Sequence, residues 1–359
     1  MALRVTLADG TKKDLQGRTR EEVLEKLETL RLAEQQGELV TSGKFPYARW
    51  LDQWLEDHVK VRNAITTYER YRGLSTHHVA KELGYLAIGE IRGPHIQRFY
   101  RKLLDAGYKP ATLTVVHAIV HGSMRDAKAM GLIARNYADD IRLPERNRDA
   151  TERAFTPREL LLLDPAIVGH RHEWLWRVML ETGLRIGEAA ALRWDHVDLE
   201  GRRIHIRASY RRALSGPIVS PPKTKRGRRT IPLNDAALAA LRAQRQHVRA
   251  MEARATVWTT NDLVFPNRLG RPLRQDKTLQ EFKQVQLGAG IAQPRRLHDL
   301  RHTFATLLYA RDVNPRAVQE LLGHSRIEMT MDLYTGSVTD VLVDAVQRLD
   351  VGRTTDRSG

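Results

Sequence analysis

The 359-residue chain contains no cysteine, which excludes a disulfide framework, a thiolate zinc site and a thiol nucleophile. It has no apolar run approaching the roughly 20 residues of a membrane-spanning helix, and no signal peptide opens it. A soluble, cytoplasmic protein is expected, with no membrane partner. Lysine is scarce beside arginine: of 59 basic residues, 46 are Arg and 13 are Lys. Acid is missing altogether from Arg202 to Arg229, where ten Lys or Arg stand unopposed. What these absences leave is a strongly basic chain, of formal net charge +16 and pI near 10.2. Its positive charge comes mostly as planar forks suited to phosphate oxygens. A polyanionic partner follows, most simply nucleic acid. Length alone allows two or three domains with cores of their own.

Residues 1–43 alternate as a strand at Leu3, Val5 and Leu7, then turn at Asp9-Gly10 into a second strand. A helix follows from about Arg20 to Gln36, opened by a capping box of Thr19 with Glu22 and ended by Gly37. This module is nearly neutral, so both a sheet face entering a DNA groove and an appendage for protein contacts fit it. Residues 44–145 read as helical throughout, with buried rows at Trp50, Leu51, Trp54 and Leu55, at Tyr68, Tyr71 and Leu74, at Ile96, Phe99, Tyr100, Leu103 and Leu104, and at Leu113, Val116, Ile119 and Val120. Pro94 and Pro110 start the later helices, and Gly107 and Gly131 follow their ends. A flexible basic linker is expected at 146–157. The domain at 158–352, with a tail at 353–359, carries most of the basic excess.

The residues that suggest chemistry lie in that last domain. Trp174 to Thr182 reads as a helix ended by Gly183, and Ile186 to Leu192 as the next, so Arg185 sits at the corner with Glu188 one turn on to orient it. Arg203 to Ser209 reads as a strand, and Lys223 to Leu233 as a pairing stretch that turns at Arg226-Gly227. Such a basic hairpin looks like a groove-tracking finger, from which Lys223 is expected to reach a phosphate. Further on, Leu300, Phe304, Leu307 and Leu308 recur at helical spacing, placing His298 and Arg301 on one flank near a helix start. Asn314 and Pro315 open a second helix that stops at Leu322 and Gly323, leaving His324 on the turn, and Tyr334 follows ten residues later. An apolar row at Val338, Val341, Leu342, Ala345 and Leu349 suggests a C-terminal helix. His298, Asp299 and His302 also spell H-D-x-x-H, close to the helical zinc pair of metallohydrolases. Arg301, one turn from His298, repels a divalent cation and suits an anion instead, so no metal is expected.

Taken together, T-G-L-R-x-G-E at 182–188, P-K-T-K-x-G-R-R-T-I-P-L at 222–233, L-H-D-L-R-H-T at 297–303, L-L-G-H-S at 321–325 and Tyr334 resemble the tyrosine recombinases of the phage and integrative-element type. The likeness covers most of the chain. It implies a mainly α, multidomain architecture with small β elements: an N-terminal strand and helix module like an arm-site binding domain, a helical core-binding bundle, and a mixed α/β catalytic domain of the DNA-breaking-rejoining type. By position, Arg185 and Arg301 match the phosphate-clamping arginines, Lys223 the hairpin lysine, His298 and His324 the family histidines, Tyr334 the nucleophile, and Glu188 the acid supporting the first arginine. The N-terminal module begins one strand late for the usual arm-binding fold, and Asn136 precedes Tyr137 where the family often has Asn-Pro. The activity implied is cleavage and rejoining of double-stranded DNA through a 3′-phosphotyrosine, without metal, ATP or other cofactor, to integrate or excise a mobile element. The partners implied are core sites and arm sites, a homotetramer on DNA, an excision factor and a host DNA-bending protein, in the nucleoid of a bacterial or phage-infected cell. A type IB topoisomerase shares the pocket chemistry but lacks such N-terminal modules. A non-catalytic DNA-binding protein on this scaffold would have lost one of the charged set, and a metal-dependent nuclease would be stopped by chelator.

Overall fold

The computed structural model describes residues 2–6, 12–35, 45–144, 154–213, 216–222 and 225–323. Lys223, His324, Tyr334 and the expected C-terminal helix lie outside the described residues, as does most of the expected linker. The chain divides into two compact units, Met1–Asn147 and Arg148–Gly359.

In the first unit, strands β1 (Ala2–Thr6) and β2 (Lys12–Gln16) pair antiparallel with Arg4 opposite Asp14. The Arg4 guanidinium meets that carboxylate at 2.6 Å, so this cation of the sheet is paired within the module. Helix α1 (Arg20–Gln35) starts where the capping pair lies. Thr19 Oγ1 accepts from the Glu22 amide at 3.2 Å, but Glu22 reaches back to the amide of Arg18 rather than to that of Thr19. Leu15, Val23 and Leu30 form the small core between helix and strands.

Six helical segments follow: α2 (Tyr47–Trp54), α3 (Lys60–Arg62), α4 (Ile65–Leu74), α5 (Ala80–Leu83), α6 (Gly93–Asp105) and α7 (Pro110–Ala129). One π-helical turn joins α2 to α3 and another joins α4 to α5, at Leu55–Val59 and Ser75–Val79. The aromatic side chains of α2 bury their rings and hand their polar tips to α7, as buried Tyr and Trp must. The Tyr47 hydroxyl lies 2.6 Å from Ser123 Oγ, Trp50 Nε1 donates to the Ser123 carbonyl at 2.9 Å, and Trp54 Nε1 donates to Asp126 Oδ2 at 2.9 Å. The apolar rows expected from periodicity form this core, except that Leu104 lies at the surface. Asn136 is buried and organises the loop after α7, accepting from the Ala138 amide at 3.0 Å and donating to Asp139 at 2.7 Å.

The second unit opens earlier than its sequence suggests. Phe155 is buried in the core, its amide bonded to Thr303 Oγ1 at 2.8 Å. Thr156 and Glu159 form a capping box for α8 (Pro157–Ala166), so Pro157, read above as linker, is the first residue of a helix. There follow α9 (Glu173–Thr182), α10 (Ile186–Ala190), α11 (Asp235–Arg254), α12 (Gln275–Gly288), α13 (Asp299–Tyr309) and α14 (Pro315–Leu322). The apolar faces of α9, α11, α12 and the start of α13 share one core with the strands. A three-stranded antiparallel sheet runs in the order β3 (Val197–Asp198), β4 (Arg203–Ile206), β7 (Arg229–Pro232). Between β4 and β7 the chain makes a separate hairpin of β5 (Ser209–Ala213) and β6 (Gly216–Ser220). The single strand expected from Arg203 to Ser209 is thus two, broken at Arg207 and Ala208. The partner of β4 is only the last part of the 223–233 stretch.

Candidate active site

The first corner is set by a glycine. Helix α9 ends at Gly183 in the left-handed conformation, φ 63°, where a side chain is strained. Leu184 is buried beneath the turn, and Arg185 takes extended backbone as the N-cap of α10. Glu188, three residues on, then serves two groups of Arg185: the amide donates to Oε2 at 3.0 Å, and Nη1 donates to Oε1 at 2.8 Å. The expected role of Glu188 in orienting Arg185 therefore has a geometric basis, while the Arg185 amide is spent on that carboxylate.

A residue not singled out from the sequence completes the arrangement. Arg229, on β7, faces the same carboxylate end-on, with Nη1 to Oε1 at 3.0 Å and Nη2 to Oε2 at 2.8 Å. The signal was present: Arg229 alternates with buried Ile231 on a strand, which puts a cation in the inward phase. Burial alone would raise the Glu188 pKa, but the hydrogen bonds and charge of Arg229, followed by the charge of Arg185, hold it at about 2.

Arg301 enters from α13, which Leu300 and, two residues before its start, Leu297 anchor in the core. Its side chain is among the largest fully buried ones. Nη1 donates to the Gly183 carbonyl at 2.7 Å and Nη2 donates to the Leu322 carbonyl. Nε is buried and has no hydrogen-bond partner among the described residues. Burial and then the nearby Arg185 push the Arg301 pKa well below its usual value. A guanidinium does not deprotonate in proteins, so the strain is that of an uncompensated charge.

All three arginines meet the same helix end. Arg229 Nε donates to the Leu321 carbonyl at 2.6 Å, Arg301 to that of Leu322, and Arg185 Nη2 lies 3.5 Å from that of Gly323. Two successive carbonyls at the negative pole of α14 are thus held by guanidiniums, and the next is approached at longer range by a third. Gly323 closes that helix at φ 64°, as its sequence position implies, and His324 follows directly in the chain. Among the described residues, three cations and one carboxylate leave this cluster two charges positive and suited to an anion.

His298 stands at the N-terminal boundary of α13, exposed to solvent at its edge, with its ring 5.0 Å from that of His302. Partial burial first, then His302, Arg301 and Arg185, lower its pKa to about 4, so the imidazole is neutral at physiological pH. Asp299, the acid of the H-D-x-x-H pattern, instead accepts from the Arg296 amide at 2.7 Å and lies 3.9 Å from His302 Nε2. Of the residues named from sequence, Arg185, Glu188 and Arg301 are brought together here with His298 beside them. Lys223, His324 and Tyr334 lie outside the described residues.

The chain has known relatives over most of its length. Residues 162–339 match the model of the phage integrase family, and residues 47–104 match that of the phage integrase N-terminal SAM-like domain. The chain is 26% identical over 358 residues to a tyrosine recombinase XerC-like protein of Caldanaerobacter subterraneus subsp. tengcongensis, covering 94% of this chain and 91% of the relative. It is 30% identical over 246 residues to the tyrosine recombinase XerC of Roseiflexus castenholzii, covering 66% of this chain and 71% of the relative. Among solved structures, the Tn1549 transposon integrase in complex with transposon right end DNA shares the fold with a TM-score of 0.68 at 22% identity. The match covers 85% of this chain and 100% of that one.

Proposed function

The chain belongs to the phage integrase family of tyrosine recombinases, and from that premise we propose that it cuts and rejoins double-stranded DNA at specific sites of a mobile element through a 3′-phosphotyrosine intermediate. One observation carries the reading: Arg185 and Arg301 converge on the end of the helix that leads into His324, in a buried cluster with two positive charges in excess. A phosphodiester supplies a single negative charge where that excess lies. Arg185, with Nη1 held by Glu188, and Arg301, with Nε unengaged, bind the non-bridging oxygens, joined by His324. Preorganised donors of this kind contribute roughly 10²–10³ each in rate. Phosphoryl transfer asks the protein mainly for position and charge, and here side chains supply both.

In the step proposed, Tyr334 Oη bonds to phosphorus as the bond from phosphorus to the 5′ oxygen breaks. The phenol, with an ordinary pKa near 10, needs its proton removed, and neutral His298 accepts or relays it. Lys223 gives a proton to the departing 5′ oxygen. The ester is conserved in the link to Tyr334, so a 5′ hydroxyl from the same or another duplex reverses the step without ATP. Exchange between two duplexes uses four such sites, hence a tetramer on DNA. Residues 44–145 serve as the core-binding domain, 155–352 as the catalytic domain and 1–43 as an arm-site module.

The test is a nicked duplex carrying the cognate site, from which the cleaved strand cannot be religated. Wild type forms a covalent adduct with it in the presence of chelator and Tyr334→Phe does not. An adduct formed by Tyr334→Phe would show that another residue is the nucleophile.

A further inference from the structure

We propose that Arg229 is a positioning residue of this reaction, holding Glu188 so that Arg185 stays free for phosphate, and fastening the end of α14 to strand β7. The proposal rests on the recombinase reading above. Every nitrogen of the Arg229 guanidinium is engaged within the fold. Nη1 and Nη2 are engaged by Glu188 and Nε by the Leu321 carbonyl, and its side chain is 5% exposed, against 35% for Arg185. It therefore acts through other groups.

What it does for Arg185 follows from counting lone pairs. The Glu188 carboxylate is buried, and a buried carboxylate takes the cation it is given by both oxygens when it can. With Arg229 occupying both oxygens, Arg185 reaches Glu188 through Nη1 alone. Among the described residues Nη2 has only the distant Gly323 carbonyl, which leaves that guanidinium edge available to an anion. Without Arg229, Glu188 has one cation left and draws Arg185 into a two-pronged pair, turned away from the phosphate.

The same side chain joins three pieces of chain. It sits on β7, six residues after Lys223 in sequence. It packs on the last turn of α14 so closely that a Cβ on Gly323 would lie 3.1 Å from Arg229 Cδ and 2.8 Å from the Arg226 carbonyl. It also anchors Glu188 of α10. The strand after the lysine, the corner bearing the first arginine and the helix ahead of His324 are thus registered by one guanidinium.

The experiment measures adduct formation on the nicked duplex for wild type, Arg229→Ala, Arg229→Lys, Glu188→Gln and the Arg229→Ala/Glu188→Gln pair, with duplex affinity measured separately. Arg229→Ala is expected to slow the adduct about 10- to 100-fold, as loss of a residue that orients a reacting group does. Duplex affinity and its salt dependence stay as in wild type, because a cation already matched by the Glu188 carboxylate neutralises no DNA phosphate. The Arg229→Ala rate should also climb with pH through the acid range as Glu188, deprived of its partner, titrates at a raised pKa. Wild type lacks that limb, and Arg229→Lys, which keeps the charge, removes most of it. The double variant should be no slower than the slower single one, since both act through one pair. Wild-type rates in Arg229→Ala, or losses that multiply in the double variant, would overturn the proposal. Should Arg229→Ala fail to fold, Arg229→Lys decides: slowed cleavage at unchanged affinity supports it, and an unchanged rate overturns it. Absence of an adduct with wild type itself would instead sink the recombinase reading on which this one stands.

Discussion

Arg301 Nη1 donates to the carbonyl of Gly183 at 2.7 Å, so the second arginine of the cluster is held by the turn that presents the first, two residues before Arg185. The turn itself depends on the glycine. At φ 63° an added Cβ is strained, and it would lie 2.6 Å from Phe304 Cδ1 and 2.9 Å from Leu322 Cδ2. Gly183→Ala is expected to cost about 2–4 kcal/mol, the left-handed backbone and the overpacking together. It should slow cleavage as well, since α13 and α14 must both move. Urea melts measure the first and adduct rates the second. A variant as stable as wild type would mean that the turn relaxes without disturbing its neighbours.

Much of this arrangement is written locally in the sequence. Gly183 and Gly323 announce helix ends, Asn314-Pro315 a helix start, and the row Leu300, Phe304, Leu308 the face that buries α13, because each signal acts within a turn or two of itself. What local patterns do not carry is which stretch pairs with which. The β5–β6 hairpin lies inside a basic run, and β6 has no fully buried residue, so its periodicity marks no core face. Arg229 escaped notice for a related reason. A cation in an inward strand position reads as an error until its partner, Glu188, is brought in from 41 residues away. Phe155 and Thr156 looked like linker because the proline and charge around them masked a capping box.

Arg301 should matter for chemistry more than for stability. Replacing it by methionine forfeits two hydrogen bonds from a charged donor to carbonyls, about 1.5–3 kcal/mol each. It also removes a buried charge whose neighbours Arg185 and Arg229 repel it, a gain of the same order or larger. Arg301→Met is expected to melt at or above the wild-type temperature while adduct formation falls roughly 10²- to 10³-fold. Inorganic phosphate, at matched ionic strength, should raise the wild-type melting temperature by mass action and leave that of the variant unchanged. A clearly lower melting temperature for the variant would show that the excess charge is already neutralised within the fold.

Acid should destabilise the second unit before its carboxylates titrate. His172 is buried, and that burial, followed by the charge of Arg171, lowers its pKa to about 4, against an unfolded value near 6.5. The unfolded chain therefore binds the extra proton between those values. The stability from keeping His172 neutral is complete above about pH 6.5 and is lost as pH falls toward 4, by roughly 3 kcal/mol. His298 acts in the same direction, but its exposure screens its share. His172→Gln, which cannot titrate, should flatten the decline seen in urea melts between pH 7 and pH 4.5. An equally steep decline in that variant would assign the loss to other groups.

The hairpin that the sequence concealed has its own test. Arg211 and Arg212 on β5 belong to a stretch without acid, whereas Arg202, nearby in sequence, is paired with Asp235. Each phosphate neutralised by a side chain releases counterions and steepens the fall of log affinity with log salt by about 0.9. If the hairpin tracks the DNA backbone, the Arg211→Gln/Arg212→Gln variant should bind duplex more weakly whatever its sequence, with a slope shallower by nearly 2. Arg202→Gln should leave the slope alone, because that cation is matched within the protein. Equal slopes for the hairpin variant and wild type would place the DNA away from β5 and β6, leaving the cluster around Arg185 and Arg301 to be reached from another side.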